Sequence, residues 1–86
     1  MAKVRVKIFG VFRLDSGIKE MTVQVETVKE LFPLIIEEAK RLNPQTPLKV
    51  KDLEGCVVAV NGKQVKPNTK LQDGDEVMLV PAVAGG

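Results

Sequence analysis

The chain has 86 residues, 28% charged and 44% hydrophobic, with 13 Lys and Arg against 11 Asp and Glu for a net charge of +2. That suits one small domain with one modest core; with three Phe and no Trp or Tyr, it offers no basic, aromatic-studded surface for nucleic acid. The absence of His removes the commonest general base, catalytic triads and the usual His-containing zinc sites, and a single Cys excludes an internal disulfide or a four-thiolate iron–sulfur cluster.

No apolar run approaches the ~18 residues needed to cross a bilayer. The start, MAKVRVKIF, has no apolar signal-peptide core. The expectation is a cytoplasmic protein with no membrane or nucleic-acid partner, and no side-chain catalysis by the chain alone.

Lys3 to Ile8 alternates strictly between charged and aliphatic residues, the period of a half-buried strand. Lys19 to Val25 repeats the pattern with Met21, Val23 and Val25 on one face, and Asp15-Ser16-Gly17 between them reads as a turn. An antiparallel hairpin with a moderately long loop follows. Thr27-Val28-Lys29-Glu30 has the form of a capping box. Val28, Leu31, Ile35, Ala39 and Leu42 then fall at helical spacing, predicting a helix over about 28–42, kinked or loosened in its second turn by Pro33. Asn43-Pro44 ends it. Residues 45–55 read as irregular. Cys56 to Val60 is a β-branched strand, Asn61-Gly62 a strong hairpin turn, Lys63 to Lys66 a short return strand, 71–75 another turn, and Glu76 to Val80 the last strand.

One helix covers one face of one sheet. If the last strand returns beside the first, the two are parallel and central, with the helix in the crossover. That is an α+β fold, the ubiquitin-like β-grasp: a mixed sheet of four to five strands under one main helix. The domain spans residues 1–80, and 81–86 form a flexible tail ending in Gly-Gly. Pro81 follows the last strand directly and cannot donate to a central ladder, so pairing is expected to stop there. Six residues at roughly 3.3–3.6 Å each reach about 20 Å.

With no catalytic side chains in view, the remaining reactive group is the α-carboxylate of Gly86. It becomes an electrophile once ATP converts it to an acyl-adenylate, from which a sulfur or nitrogen nucleophile displaces AMP. Two glycines let such an end enter a narrow active site, having no Cβ to clash. Alone, a terminal Gly-Gly is weak evidence, because chance and fraying ends produce it too. The tail before it, Val-Pro-Ala-Val-Ala, is apolar where fraying tails are usually polar.

The segment LQDGDEVMLVPAVAGG, with VKIFGVFR near the start and VAVNGK in the middle, resembles the MoaD-type sulfur carriers of the MoaD/ThiS family, the small subunits of molybdopterin synthase. The likeness spans essentially the whole chain. Its most specific part is the run from Asp73-Gly74-Asp75-Glu76-Val77 to Gly85-Gly86. The family's tail commonly reads Pro-Pro-Val-Ala-Gly-Gly, and Ala82 stands here for the second Pro, which lessens stiffness without touching the chemistry. The length favours the molybdopterin branch over the thiamine branch, whose carriers are usually shorter and lack so long a helix.

The resemblance implies that an E1-like adenylating enzyme activates Gly86 with ATP and that a sulfur donor converts it to a thiocarboxylate. It implies a large synthase subunit as partner, in a heterotetramer of two small and two large chains, where the sulfur passes to cyclic pyranopterin monophosphate. Gly86 would carry the sulfur and Gly85 allow passage, with Pro81, Ala82, Val83 and Ala84 as a recognition strand. ATP, zinc and pterin sites would belong to partners, leaving this chain without a cofactor or metal of its own. The alternatives are a ubiquitin-like modifier joined to lysines, a carrier for another pathway (thiamine, tRNA thiolation), or a binding module whose tail only docks.

For the partner surface, Val77 and Leu79 are expected to face the helix. Met78, Val80 and Phe9 then share the uncovered sheet face and lead into the tail; alternatively Phe9 turns inward. An exposed apolar patch of that kind marks an interface. Lys3, Arg5 and Lys7 on the same face suggest an acidic partner or are simply solvated. Cys56 reads as a small buried hydrophobe, against the alternative of an acceptor thiol. Asp73-Gly74-Asp75-Glu76 reads as a charged turn more simply than as a cation site.

Overall fold

The computed structural model describes residues 1–81. In chain order the elements are β1 (Ala2–Ile8), α1 (Gly10–Ser16), β2 (Glu20–Val25), α2 (Leu31–Leu42), α3 (Val50–Glu54), β3 (Val57–Val60), β4 (Lys63–Val65) and β5 (Glu76–Val80). The strands form one mixed sheet in the order β2-β1-β5-β3-β4. β1 runs parallel to β5 and antiparallel to β2, and β3 runs antiparallel to both β5 and β4. The parallel first and last strands lie side by side within the sheet, with α2 in the crossover, as expected of a β-grasp.

The alternation in β1 resolves into two faces: Ala2, Val4, Val6 and Ile8 are buried, and the charged residues between them point the other way. Val77 and Leu79 of β5 and Val58 of β3 join the buried layer. Leu31, Phe32, Ile35, Ile36 and Ala39 of α2 close over it. Each fully buried Val, Leu, Ile or Phe side chain of this layer contributes roughly 1.5–3 kcal/mol, the two alanines less. The stripe is shifted from the expected one: Leu42 is 47% exposed, and Phe32 and Ile36 are buried in addition.

The helix begins differently from the capping-box expectation. Val28–Glu30 is a separate 3₁₀ turn, and α2 starts at Leu31. The Thr27 hydroxyl caps no backbone amide; it donates to Glu30 Oε2 at 3.2 Å, while Glu30 Oε1 accepts from the Glu26 amide at 3.3 Å. The amides of Val28 and Lys29 donate instead to the carbonyls of Thr69 (3.1 Å) and Pro67 (2.8 Å). The β4–β5 connection thus satisfies donors that a cap would otherwise serve. Pro33 falls on the third residue of α2, where a missing amide removes no internal helix bond, so the kink expected from it has no cause.

Two short helices occupy segments expected to be irregular. In α1, Phe12 and Ser16 are buried one turn apart, and Gly17 closes the helix with a left-handed φ of 75° and its amide on the Arg13 carbonyl. Ser16 Oγ accepts the Ile18 amide at 3.0 Å, and the Thr46 hydroxyl donates to the Asp15 carbonyl. In α3, Leu53 is buried, and the Asp52 carboxylate accepts the Lys49 amide at 3.0 Å.

Candidate functional site

β5 ends at Val80, immediately before Pro81. The residue without an amide hydrogen therefore stands where the central ladder stops. Along β5 the buried Val77 and Leu79 face α2, which places Met78 and Val80 on the opposite face of the sheet. Met78 is half-buried between Lys7 of β1 and Ala59 of β3; Val80 is 36% exposed and lies beside Val57.

Phe9 extends β1 by one residue, with φ −124° and ψ 164°, and its amide donates to the Leu79 carbonyl at 3.1 Å. Alternation past the buried Ile8 turns it to the same open face as Met78. It is half-buried and walls a cleft of about 440 Å³ together with Lys7, Ile8, Arg13, Lys19 and Glu20. Arg13 and Lys19, which the sequence reading did not single out, make this end of the sheet basic. A larger cavity, about 600 Å³, lies at the other end of β1 and β5, among Lys3, Arg5, Thr22 and the 73–76 turn, remote from Pro81.

The cations of β1 are partly answered within the chain. Arg5 lies 3.7 Å from Glu20 and 3.5 Å from Glu76, and Lys7 lies 3.6 Å from Glu76. Glu20 and Glu76 thus share the charge of Arg5 and Lys7 in exposed ion pairs, which reduces the pull of these cations on an acidic partner. The apolar strip of Phe9, Met78, Val80 and Val57 sits beside this ionic row.

The acidic turn is structural. Asp73 Oδ1 accepts the Lys3 amide at 2.7 Å, Asp75 Oδ2 the Gln72 amide at 2.8 Å, and Asp75 Oδ1 the Asn61 side-chain amide at 2.9 Å. Asn61 Oδ1 in turn accepts the Glu76 amide at 2.9 Å. Asn61 and Gly62 have φ of 53° and 87°, the left-handed pair that a type I′ hairpin requires. The hairpin and the start of β5 are thus braced to each other. Among the described residues no group of three or more His, Cys, Asp or Glu side chains could hold a metal ion.

Cys56 stands just before β3, half-buried against the core. Desolvation pushes its thiol up to about 11, against a weaker lowering by a backbone hydrogen bond. Such a thiol is almost wholly protonated near neutrality and is a poor nucleophile. Ala82, Val83, Ala84, Gly85 and Gly86, which carry the expected recognition strand and acyl end, lie outside the described residues.

Residues 6–86 match the ThiS family. The chain belongs to the ThiS family. A curated relative from Chlamydomonas reinhardtii, a molybdopterin synthase sulfur carrier subunit, is 29% identical over 98% of this chain and 99% of its own length. Among solved structures, a putative molybdopterin converting factor subunit 1 from Pyrococcus furiosus superposes with a TM-score of 0.72 at 28% identity, covering 96% of this chain and 100% of that one. A complex of subunits 1 and 2 of molybdopterin-converting factor from Helicobacter pylori contains a chain matching at a TM-score of 0.60 and 29% identity, over 98% of this chain and 99% of that one. The ThiS-family match takes in the end of β1 from Val6, the whole of β5, Pro81 and the Gly85-Gly86 pair.

Proposed function

We propose that this ThiS-family chain is a sulfur carrier acting as the non-catalytic small subunit of a molybdopterin synthase. The reacting group is the α-carboxylate of Gly86. An E1-like partner uses ATP: a carboxylate oxygen attacks the α-phosphate and pyrophosphate leaves, giving an acyl-adenylate. A sulfur nucleophile then bonds to the acyl carbon as the bond to AMP breaks, and Gly86 becomes a thiocarboxylate. Within the large subunit the thiocarboxylate sulfur bonds to a carbon of cyclic pyranopterin monophosphate as that carbon's bond to oxygen breaks. Water then attacks the acyl carbon, the acyl–sulfur bond breaks, the sulfur stays on the pterin and Gly86 returns to a carboxylate.

The folded body is the handle for this group. Pro81 stands at the end of a central strand, so the chain departs from mid-sheet beside the apolar strip. Phe9, Met78 and Val80 form the docking surface. Pro81 to Ala84 form the recognition strand, and Gly85 admits the terminus to narrow active sites. The Helicobacter pylori likeness supports a large synthase subunit as the partner. The observation that carries the reading is that the family match continues through both terminal glycines.

Removing Gly86 alone tests it. The shortened chain should keep the circular dichroism spectrum and thermal midpoint of the parent, yet form no dithiolene-containing pterin with the large subunit, the activating enzyme, ATP and sulfide. Product formed at the parental rate by the shortened chain refutes the assignment.

A further inference from the structure

We infer that Gly10 is a positioning residue for the carboxyl-terminal segment: it is the seat on which Pro81 rests, and it sets where and at what angle the chain leaves the sheet. β1 and β5 are parallel and end together, with Ile8 opposite Leu79 and the Phe9 amide on the Leu79 carbonyl. The two chains therefore leave the sheet side by side. A Cβ on Gly10 would lie 3.0 Å from Cγ and 3.1 Å from Cδ of Pro81. Ordinary carbon contacts fall at about 3.5–4.0 Å, so the proline ring lies directly against bare backbone.

The seat belongs to the rigid body of the fold. Gly10 opens α1, and α1 is held by the buried Phe12 and Ser16 and by the Thr46 hydroxyl on the Asp15 carbonyl. Gly10 also has φ of +62°, in the region where a Cβ is unfavourable. Two independent demands, backbone angle and missing Cβ, thus fall on one residue. Pro81 adds its own fixed φ of about −65°. A tilt of about 15° at this point would displace a position about 20 Å further along, the limit of reach for six residues, by about 5 Å.

The consequence for transfer rests on the sulfur-carrier reading; the contact does not, and the experiment separates them. Gly10→Asn keeps access to left-handed angles while adding a Cβ. Pro81→Ala removes the Cγ and Cδ that the Cβ would meet. Leu14→Ala, 82% exposed on the same helix, is the control. In the parent protein, nuclear Overhauser effects should connect the Gly10 α-protons to the Pro81 ring. Gly10→Asn should retain the amide-exchange protection of β1 and β5, shift the resonances of residues 79–84, and lower kcat/KM for charging by the activating enzyme roughly tenfold, chiefly through KM. Adding Pro81→Ala to it should cost less than the sum of the two single changes. Leu14→Ala should change none of these. If Gly10→Asn does not fold, Pro81→Ala alone decides, by whether it shifts the Gly10 amide resonance. The inference is overturned by absence of the Gly10–Pro81 effects in the parent, by unchanged tail resonances and charging in Gly10→Asn, or by strict additivity. A parent that is never charged, but shows the contact and its coupled shifts, refutes the sulfur-carrier reading and leaves the seat standing.

Discussion

Ile8 lies directly opposite Leu79 in the parallel register of β1 and β5, and the two side chains are exposed by only 1% and 0%. This pair is the last buried rung before both chains leave the sheet, so it anchors the end from which the tail departs. Leu79→Ala should destabilise the fold by about 2–5 kcal/mol, the range for truncating a closely packed core leucine. Urea unfolding followed by circular dichroism measures it; a loss below about 1 kcal/mol would mean that this rung does not hold the sheet end.

Val80, the next residue along β5, faces the other way, and its substitution should separate stability from assembly. Val80→Asp removes an apolar contact from the open face while leaving the core layer alone. The stability change should stay within about 1 kcal/mol, while the dissociation constant for the large synthase subunit should rise at least roughly tenfold. Titration calorimetry beside urea unfolding gives both numbers. An unchanged affinity would remove this strip from the docking surface.

Asn61 braces the β3–β4 hairpin to β5 through both ends of its side chain, to the Glu76 amide and to Asp75. Asn61→Gly keeps the left-handed backbone angle and loses both bonds; Asn61→Ala loses both bonds and strains the turn. The order of stability should be parent, then Gly, then Ala, with the first step about 1–2 kcal/mol. Hydrogen exchange at the Glu76 amide should accelerate in both variants. Equal stability of the Gly variant and the parent would show that the turn geometry alone matters.

Cys56 gives the fold a pH dependence of known sign. Its thiol is raised from 9.0 to about 11 in the folded protein, first by desolvation. As pH climbs through this interval the unfolded chain loses the proton while the folded chain keeps it, so stability is complete below pH 9.0 and declines toward about pH 11. Cys56→Ser should lack this decline, so that the stability of the parent minus that of the variant falls between pH 9.0 and about pH 11. Alkylation of Cys56 by iodoacetamide at pH 8 should be slow in the folded protein and fast in urea. Rapid alkylation of the folded protein would reverse the structural reading of this residue.

The elements that follow a clear period were readable from the sequence. β5 begins and ends at Glu76 and Val80, the bounds read from its apolar run after the 71–75 turn, and Asn61-Gly62 forms the turn its chemistry demands. α1 and α3 were not readable, because helices of seven and five residues bury too few side chains to show a period, Phe12 and Ser16 in the first and Leu53 in the second. The start of α2 was misread for a different reason: the amides of Val28 and Lys29, in the 3₁₀ turn before it, are satisfied by carbonyls of Thr69 and Pro67, which a local pattern around Thr27 cannot foresee. The same holds at the candidate site. The Gly-Gly end and the outward Met78 and Val80 follow from short patterns, whereas the seat of Pro81 on Gly10 joins opposite ends of the chain and emerges only once β1 and β5 lie in parallel. The ion pairs of Arg5 and Lys7 with Glu20 and Glu76 are likewise products of strand order.

The most direct test of the sulfur-carrier assignment is the intact and peptide mass of the protein after incubation with the activating enzyme, ATP and sulfide. The assignment predicts exchange of one oxygen for sulfur, located at the carboxyl group of Gly86 and reversed after incubation with the large subunit and pterin precursor. A terminus left unchanged by an enzyme that charges other carriers, adducts only through lysine side chains, or a mature polypeptide continuing past Gly86 would contradict it.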